Sequence, residues 1–314
     1  MFSLFSRNKP SLRVVNSEIG RDVHLTSSGT WFTGRSGPKD PLSIVDLGTG
    51  RVLRVLEWSS LRGLMKYVSI SPDEKWVVAT FIDPNQVVLW DASTGQIQKV
   101  LDSWADAAQV SHDGKILALG GHTGSVNLYP FPECEGQRAT SLGAHTEGYA
   151  RQVESLAFVP NTPLLISASA NETVRIWDVS SRSELRNLPS KGRPWGLSVH
   201  PNGKSFAVAC GVRNGSGEIL TFALPDGAVM GSIATPKGHP LRLTHSIDGT
   251  KIAAEIVDKN YDHSLAILDL QSGSPVFESE EDTGDLAFHP RDANVLLSTY
   301  SKGENQCVRL WTFR

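Results

Sequence analysis

Paired cysteines are the first thing this sequence lacks. Cys134, Cys210 and Cys307 are odd in number and widely spaced, which excludes a disulfide framework and matches no metal-ligand spacing. They are expected to be reduced, buried, small apolar residues. An excess of one charge is missing too. The net charge of −3 gives neither a basic surface that would attract phosphate backbones nor an acidic tail. No apolar stretch approaches the roughly 20 residues of a membrane span. The run inside "MFSLFSRNKPS" is too short for a secretory signal, and its basic residues follow the run instead of preceding it. No stretch keeps a helical period for more than two turns. These absences lead us to expect a cytoplasmic, β-rich protein.

What is present is ordinary globular usage, 39% hydrophobic and 20% charged over 314 residues. A chain of this length buries roughly 75% of its unfolded surface. Turn residues recur through it: "TSSGT" (26–30), "SPDEK" (71–75), "SHDGK" (111–115), "VPNTP" (159–163), "HPNGK" (200–204), "SIDGT" (246–250) and "HPRDA" (289–293). Pro presets φ in such turns, and Asx and Gly tolerate tight backbone. With the second residue of each turn as anchor (Ser27, Pro72, His112, Pro160, Pro201, Ile247, Pro290), successive spacings are 45, 40, 48, 41, 46 and 43 residues. The period is about 44, in seven copies.

Each period reads as four short strands. In the second copy, "YVSIS" precedes the turn, "KWVVATF" follows it, "QVVLWD" comes next, and "ASTG" leads into "QIQKVL". Apolar and β-branched runs bounded by turn residues are strands. Four strands in each of seven units predict an all-β, seven-bladed propeller of four-stranded antiparallel blades. The third strands end at Val45, Trp90, Tyr129, Trp177, Phe222, Leu268 and Trp311, all apolar or aromatic, and Asp follows in four copies (Asp46, Asp91, Asp178, Asp269). This pattern resembles the WD-repeat propeller family over nearly the whole chain. The aromatic is expected to pack between blades and the Asp to start the turn into the fourth strand. In that family a His-Ser-Asp-Trp hydrogen-bond set often braces a blade. Here Asn171 occupies the Asp position and His145 falls about four residues too far upstream, so an incomplete network is expected.

The last unit stops after its third strand, at "CVRLWTFR" (307–314), and "LRVV" (12–15) is a spare strand before the first unit. The resemblance implies that the N-terminal strand completes the last blade, and an open ring would leave two unpaired edges. Residues 1–10 are expected to be a flexible tail and 11–314 one propeller domain. Phe2, Leu4 and Phe5, with Arg7 and Lys9, could give the tail a weak membrane or partner contact, but no anchor.

Chemistry-bearing motifs are scarce. HExxH, GxSxG and His/Cys clusters are missing. His112, His200 and His289 are read as turn variants, and "GHTGSVNL" (121–128) and "GVRNGSGE" (211–218) lack the strand-to-helix context of a phosphate loop. "DKNYD" (258–262) is read as a solvated loop, and only Asp106 and Glu154 as acids on the axis, too few for a propeller hydrolase. No cofactor or metal is expected. The expected function is a non-catalytic scaffold or adaptor binding a protein partner or multi-protein complex. The alternative is a propeller enzyme or small-ligand binder using the central channel. A nucleic-acid or phosphoinositide reader is disfavoured by the charge.

The residue opening each innermost strand should face the top of the channel. In register these are Arg21, Lys66, Asp106, Glu154, Trp195, Leu241 and Gly284. Trp195, between Pro194 and Gly196, has little reason to be there as a strand residue and is a candidate hot spot. The distance from anchor to third-strand end is 18, 18, 17 and 17 residues in copies one to four, and 21 in copies five to seven. The added residues are expected to form a wall of loops beside Trp195, tipped by Arg213, Asn214, Asn260, Tyr261 and Lys302.

Overall fold

The computed structural model describes residues 10–57, 63–134, 139–148, 150–211, 216–235, 237–302 and 305–313. All of its regular structure is β, arranged as seven four-stranded antiparallel sheets. Blades one to six run in chain order: Arg21–Val55, Leu64–Asp102, Ala105–Ala144, Val153–Pro189, Arg193–Thr235 and His239–Ser279. Blade seven takes its three inner strands from Leu286–His289, Asp292–Lys302 and Asn305–Thr312, and its outer strand from Ser11–Asn16. Leu12 pairs with Trp311 and Val14 with Arg309, so the N-terminal strand closes the ring as expected. It also reaches blade one: Arg13 donates to Leu47 O (3.1 Å) and Gly48 O (3.0 Å), and Asn16 Nδ2 to Gly50 O (2.9 Å).

The core is a ring of seams. Seven clusters of buried apolar residues each draw on two neighbouring blades. A blade must therefore bury both faces, which is why its middle strands are continuous apolar runs. In "WVVATFI", Val77, Ala79 and Phe81 pack toward blade one while Val78 packs toward blade three. The third-strand aromatics behave as expected. Trp90, Trp177 and Trp311 each pack into the seam with the preceding blade. The following Asp caps its turn: Thr49, Ser93, Ser180 and Ser272 donate backbone N–H to Asp46, Asp91, Asp178 and Asp269 at 2.7–2.8 Å.

Two expectations are corrected here. The brace in blade four is complete. Trp177 Nε1 donates to Ser167 Oγ (2.8 Å), Ser167 meets His145 Nε2 (2.7 Å), His145 Nδ1 meets Thr173 Oγ1 (2.6 Å), and Thr173 donates to Asn171 Oδ1 (2.6 Å). Thr173 bridges the gap that Asn171 leaves, and the connection before the blade brings His145 back over the sheet. Burial, followed by the nearby Arg175 charge, lowers the His145 pKa to about 3, so the imidazole is neutral. With one ring N–H, every donor in the chain then has one acceptor.

The turn histidines are the second correction, because they do more than vary a turn. His112 Nε2 meets Phe158 O of the next blade (3.1 Å), and His200 Nε2 meets Gly249 O (3.1 Å). Ser27 makes the same kind of tie to Pro72 O (2.9 Å). Gly249, at φ +70°, lies directly under the His200 ring, where a Cβ would collide with it. Cys134 and Cys210 are buried and free, while Cys307 is only half-buried.

Deleting residues 1–16 is expected to lower the melting temperature, because the outer edge of blade seven loses its partner; an unchanged melting temperature would refute the closure. Ser167→Ala strands the Trp177 and His145 nitrogens and should cost about 1–3 kcal/mol in denaturant unfolding.

Candidate functional site: the top mouth of the channel

The ring of predicted residues has a specific backbone origin. Blades two to six each carry a β-bulge in the innermost strand, and the residue left without a cross-strand partner is Lys66, Asp106, Glu154, Trp195 or Leu241. A bulge re-aims the extra side chain off the sheet. Here it turns that side chain to the axis, and all five line a central channel of about 870 Å³. Arg21 does not line it. In blade one the residues Asp22 and Val23 span the irregularity, and Asp22, at φ 53°, takes the channel position. In blade seven the position belongs to Asp285 and not Gly284. Both corrections are shifts of one residue, because strand alternation alone does not locate a bulge.

Among the described residues four carboxylates therefore face the channel, where two were expected. Each has a basic partner. Asp106 holds Lys66 Nζ (2.6 Å) and His122 Nδ1 (3.0 Å). Glu154 holds Arg193, Asp22 holds Arg35, and Asp285 holds Arg242 Nε (3.1 Å). Burial, and then the neighbouring Asp285, raises the Asp22 carboxyl above its ordinary range. Among the described residues no group of three or more His, Cys, Asp or Glu side chains is placed to hold a metal ion.

Two aromatic stacks flank these pairs. Arg193 lies 3.9 Å over the Trp195 ring, and His239 stacks against it at 6.4 Å and 28°. Trp195 belongs to none of the seven seam clusters and lines the channel at its mouth. In blade three, Trp104 is 53% exposed and stacks parallel on His122 at 5.2 Å and 6°. Sequence reasoning missed Trp104, although an indole between Ser103 and Ala105 just outside a strand was a visible signal.

Blade six holds the other missed group. Glu255 is fully buried, in the second strand "KIAAEIV", and binds Arg242 Nη1 (2.6 Å) and His263 Nδ1 (2.6 Å). A carboxylate inside an apolar strand was its signal. His263 roots the hairpin that carries Tyr261, which is 82% exposed at the mouth. Asp258 accepts the backbone N–H of Asn260 (2.7 Å) and Asp262 (3.0 Å), so "DKNYD" is a self-capped turn with Asn260 in it. Lys302 pairs through its backbone with Asn305. Arg213 and Asn214 lie outside the described residues.

The wall of loops needs correcting in form. The added residues of blades five to seven go largely into taller hairpins: pairing ends at Gly211–Gly217, Val257–His263 and Lys302–Asn305, against Ser169–Thr173 in blade four. Blade one also has a long connection, residues 36–42, which its short strands hide in the spacing count.

The family described as WD domain, G-beta repeat, matches residues 136–178. The chain is 28% identical over 116 residues to the target of rapamycin complex subunit LST8 of Saccharomyces cerevisiae, covering 36% of this chain and 37% of that protein. It is 26% identical over 218 residues to WD repeat-containing protein SL1-17 of Schistosoma mansoni, covering 64% of this chain and 67% of that protein. It is 27% identical over 118 residues to the tRNA (guanine-N(7)-)-methyltransferase non-catalytic subunit wuho of Anopheles gambiae, covering 38% and 29%. The chain thus spans little more than a third of the first relative's length.

The hydrogen bond to Glu255 raises the His263 pKa above its ordinary 6.5. The stabilising contact is therefore complete below about pH 6.5 and is lost as pH rises through the higher folded value. An NMR titration should place the His263 midpoint above that of a model histidine, and Glu255→Gln should bring it down. A midpoint unmoved by Glu255→Gln would refute the pairing.

Proposed function

We propose that this seven-bladed propeller, whose residues 136–178 match the WD domain, G-beta repeat, family, is a non-catalytic interaction scaffold or adaptor that docks a protein partner on its top face, over blades five to seven. The observation that carries this reading is the bulge ring, which turns Trp195 out of the core and onto the mouth beside Tyr261 and the taller hairpins. Half-exposed aromatics and Arg on a rigid support are the residue types that dominate binding energy. Two of the similar proteins are by name subunits of larger assemblies, which fits membership of a multi-protein complex. The reading places the protein in the cytoplasm, where free thiols persist.

The channel supports a second reading. Its volume of about 870 Å³ lies within the range of ligand pockets, so a small molecule on the axis is the alternative. Its described carboxylates are already paired with bases, however, and a ligand that needs one of them would have to displace an ion pair.

Affinity capture from the native host, followed by titration of the captured partner, separates the two. Trp195→Ala is expected to weaken partner binding by about tenfold or more while the melting temperature barely moves. Shortening the three hairpins to the length in blade four should abolish binding and leave folding intact. A footprint confined to the bottom face or the outer rim would overturn the proposal.

A further inference from the structure

Blade seven is built from both ends of the chain, and its inner corner at the channel mouth is incompletely paired. In blades one to six the innermost strand pairs with the second strand up to that strand's last residue: Arg35, Ile82, Gly121, Ser169, Gly211 and Val257. In blade seven regular pairing stops at Leu286–Ser298. Two further backbone bonds follow, Gly284 N–H to Thr299 O (3.2 Å) and Thr299 N–H to Asp285 O (3.0 Å). Among the described residues, Tyr300, Ser301 and Lys302, the last three of the second strand, have no partner on the innermost strand.

Side chains act where the ladder stops. Asp285 Oδ1 accepts from Arg242 Nε of blade six (3.1 Å), and Asp285 Oδ2 accepts from Val23 N–H of blade one (3.0 Å). Among the described channel carboxylates, Asp285 alone is bonded to both neighbouring blades. Asp106 reaches Lys66 of blade two and His122 of its own blade, Glu154 reaches Arg193 of blade five, and Asp22 reaches Arg35 of its own blade. The guanidinium is held in place from behind. Arg242 Nη1 donates to the fully buried Glu255 (2.6 Å), whose other oxygen meets His263 Nδ1 (2.6 Å). Asp285, and then Glu255, raises the Arg242 pKa, so the charge is permanent.

We propose that Arg242, Asp285 and the Val23 N–H form a latch that closes the ring at the channel, and that blade seven parts from blades six and one there when the latch is released. The N-terminal strand closes the ring at the rim; the latch closes it at the axis. The apolar seams on either side of blade seven include neither Arg242 nor Asp285. Release is therefore a local opening and not unfolding, and it widens the mouth on that side. The Arg242 side chain is 53% exposed and that of Asp285 15%, so dissolved ions reach the pair from the lumen and compete for it.

Native-state hydrogen exchange of the full chain reads the latch. Asp285→Asn keeps a side-chain oxygen for Val23 N–H and removes the charge that Arg242 binds. It should speed exchange at Val23 and along Leu286–His289 by about tenfold or more, and leave Ile116–Gly121 of blade three within about twofold. In the unaltered chain, raising salt from about 0.1 M to about 1 M, which shortens the screening length from about 10 Å to about 3 Å, should accelerate the same amides selectively. This second readout stands even if the variant fails to fold. Acceleration spread equally over blades three and seven, as expected if Asp285 only adds global stability, overturns the proposal. No acceleration at Val23, in the variant or in salt, overturns it as well.

Discussion

Burial of both faces of every sheet is the constraint on which the rest depends. A single blade exposes two apolar faces and cannot bury either alone. Stacking seven in a ring gives each face a neighbour and spreads the core into seven seams. The ring also has to close without a free gap, and the chain does this by lending its first strand to its last blade. The sequence repeat and the structural blade are consequently out of phase: residues 136–178 run from the end of blade three through three strands of blade four. Each unit is thereby tied covalently to the next blade.

Polar ties reinforce the same seams at different heights. His112, His200 and Ser27 bridge turns on the bottom face, and the Trp177-to-Asn171 chain braces one blade through its middle. The low pKa of His145 follows from its burial and then from the nearby Arg175 charge, and the neutral ring that results has the one N–H the chain needs. At the top the logic changes. Ion pairs and aromatic stacks lie around an open mouth, held there by bulges and not by the seams. A side chain placed by a bulge can be exchanged with little effect on seam packing, which suits a surface that must match a partner.

The legible part of the site was its register. Lys66, Asp106, Glu154, Trp195 and Leu241 follow from counting back from the turns, because five bulges occur at the same place in five blades. Arg21 and Gly284 failed because blades one and seven are irregular at this position, and Asp22 and Asp285 take it instead. Glu255 and Trp104 were visible as anomalies, an acid in an apolar strand and an indole outside one. Their partners, Arg242, His263 and His122, lie on other strands, and no local pattern pairs them.

Sequence alone determined the period, the four strands per unit, the number of blades and the identity of the closing strand. These follow from local alternation and turn chemistry, which act over a few residues and repeat. Tertiary structure decided what depends on distant segments meeting: the completed brace at His145, the bottom-face ties, the pairing of every channel carboxylate with a base, and which outer edge is left open. Blade five's outer strand is already marked in the sequence by its lack of charge and proline. Only the assembled ring shows that it faces solvent along most of its length, without a charge to interrupt it.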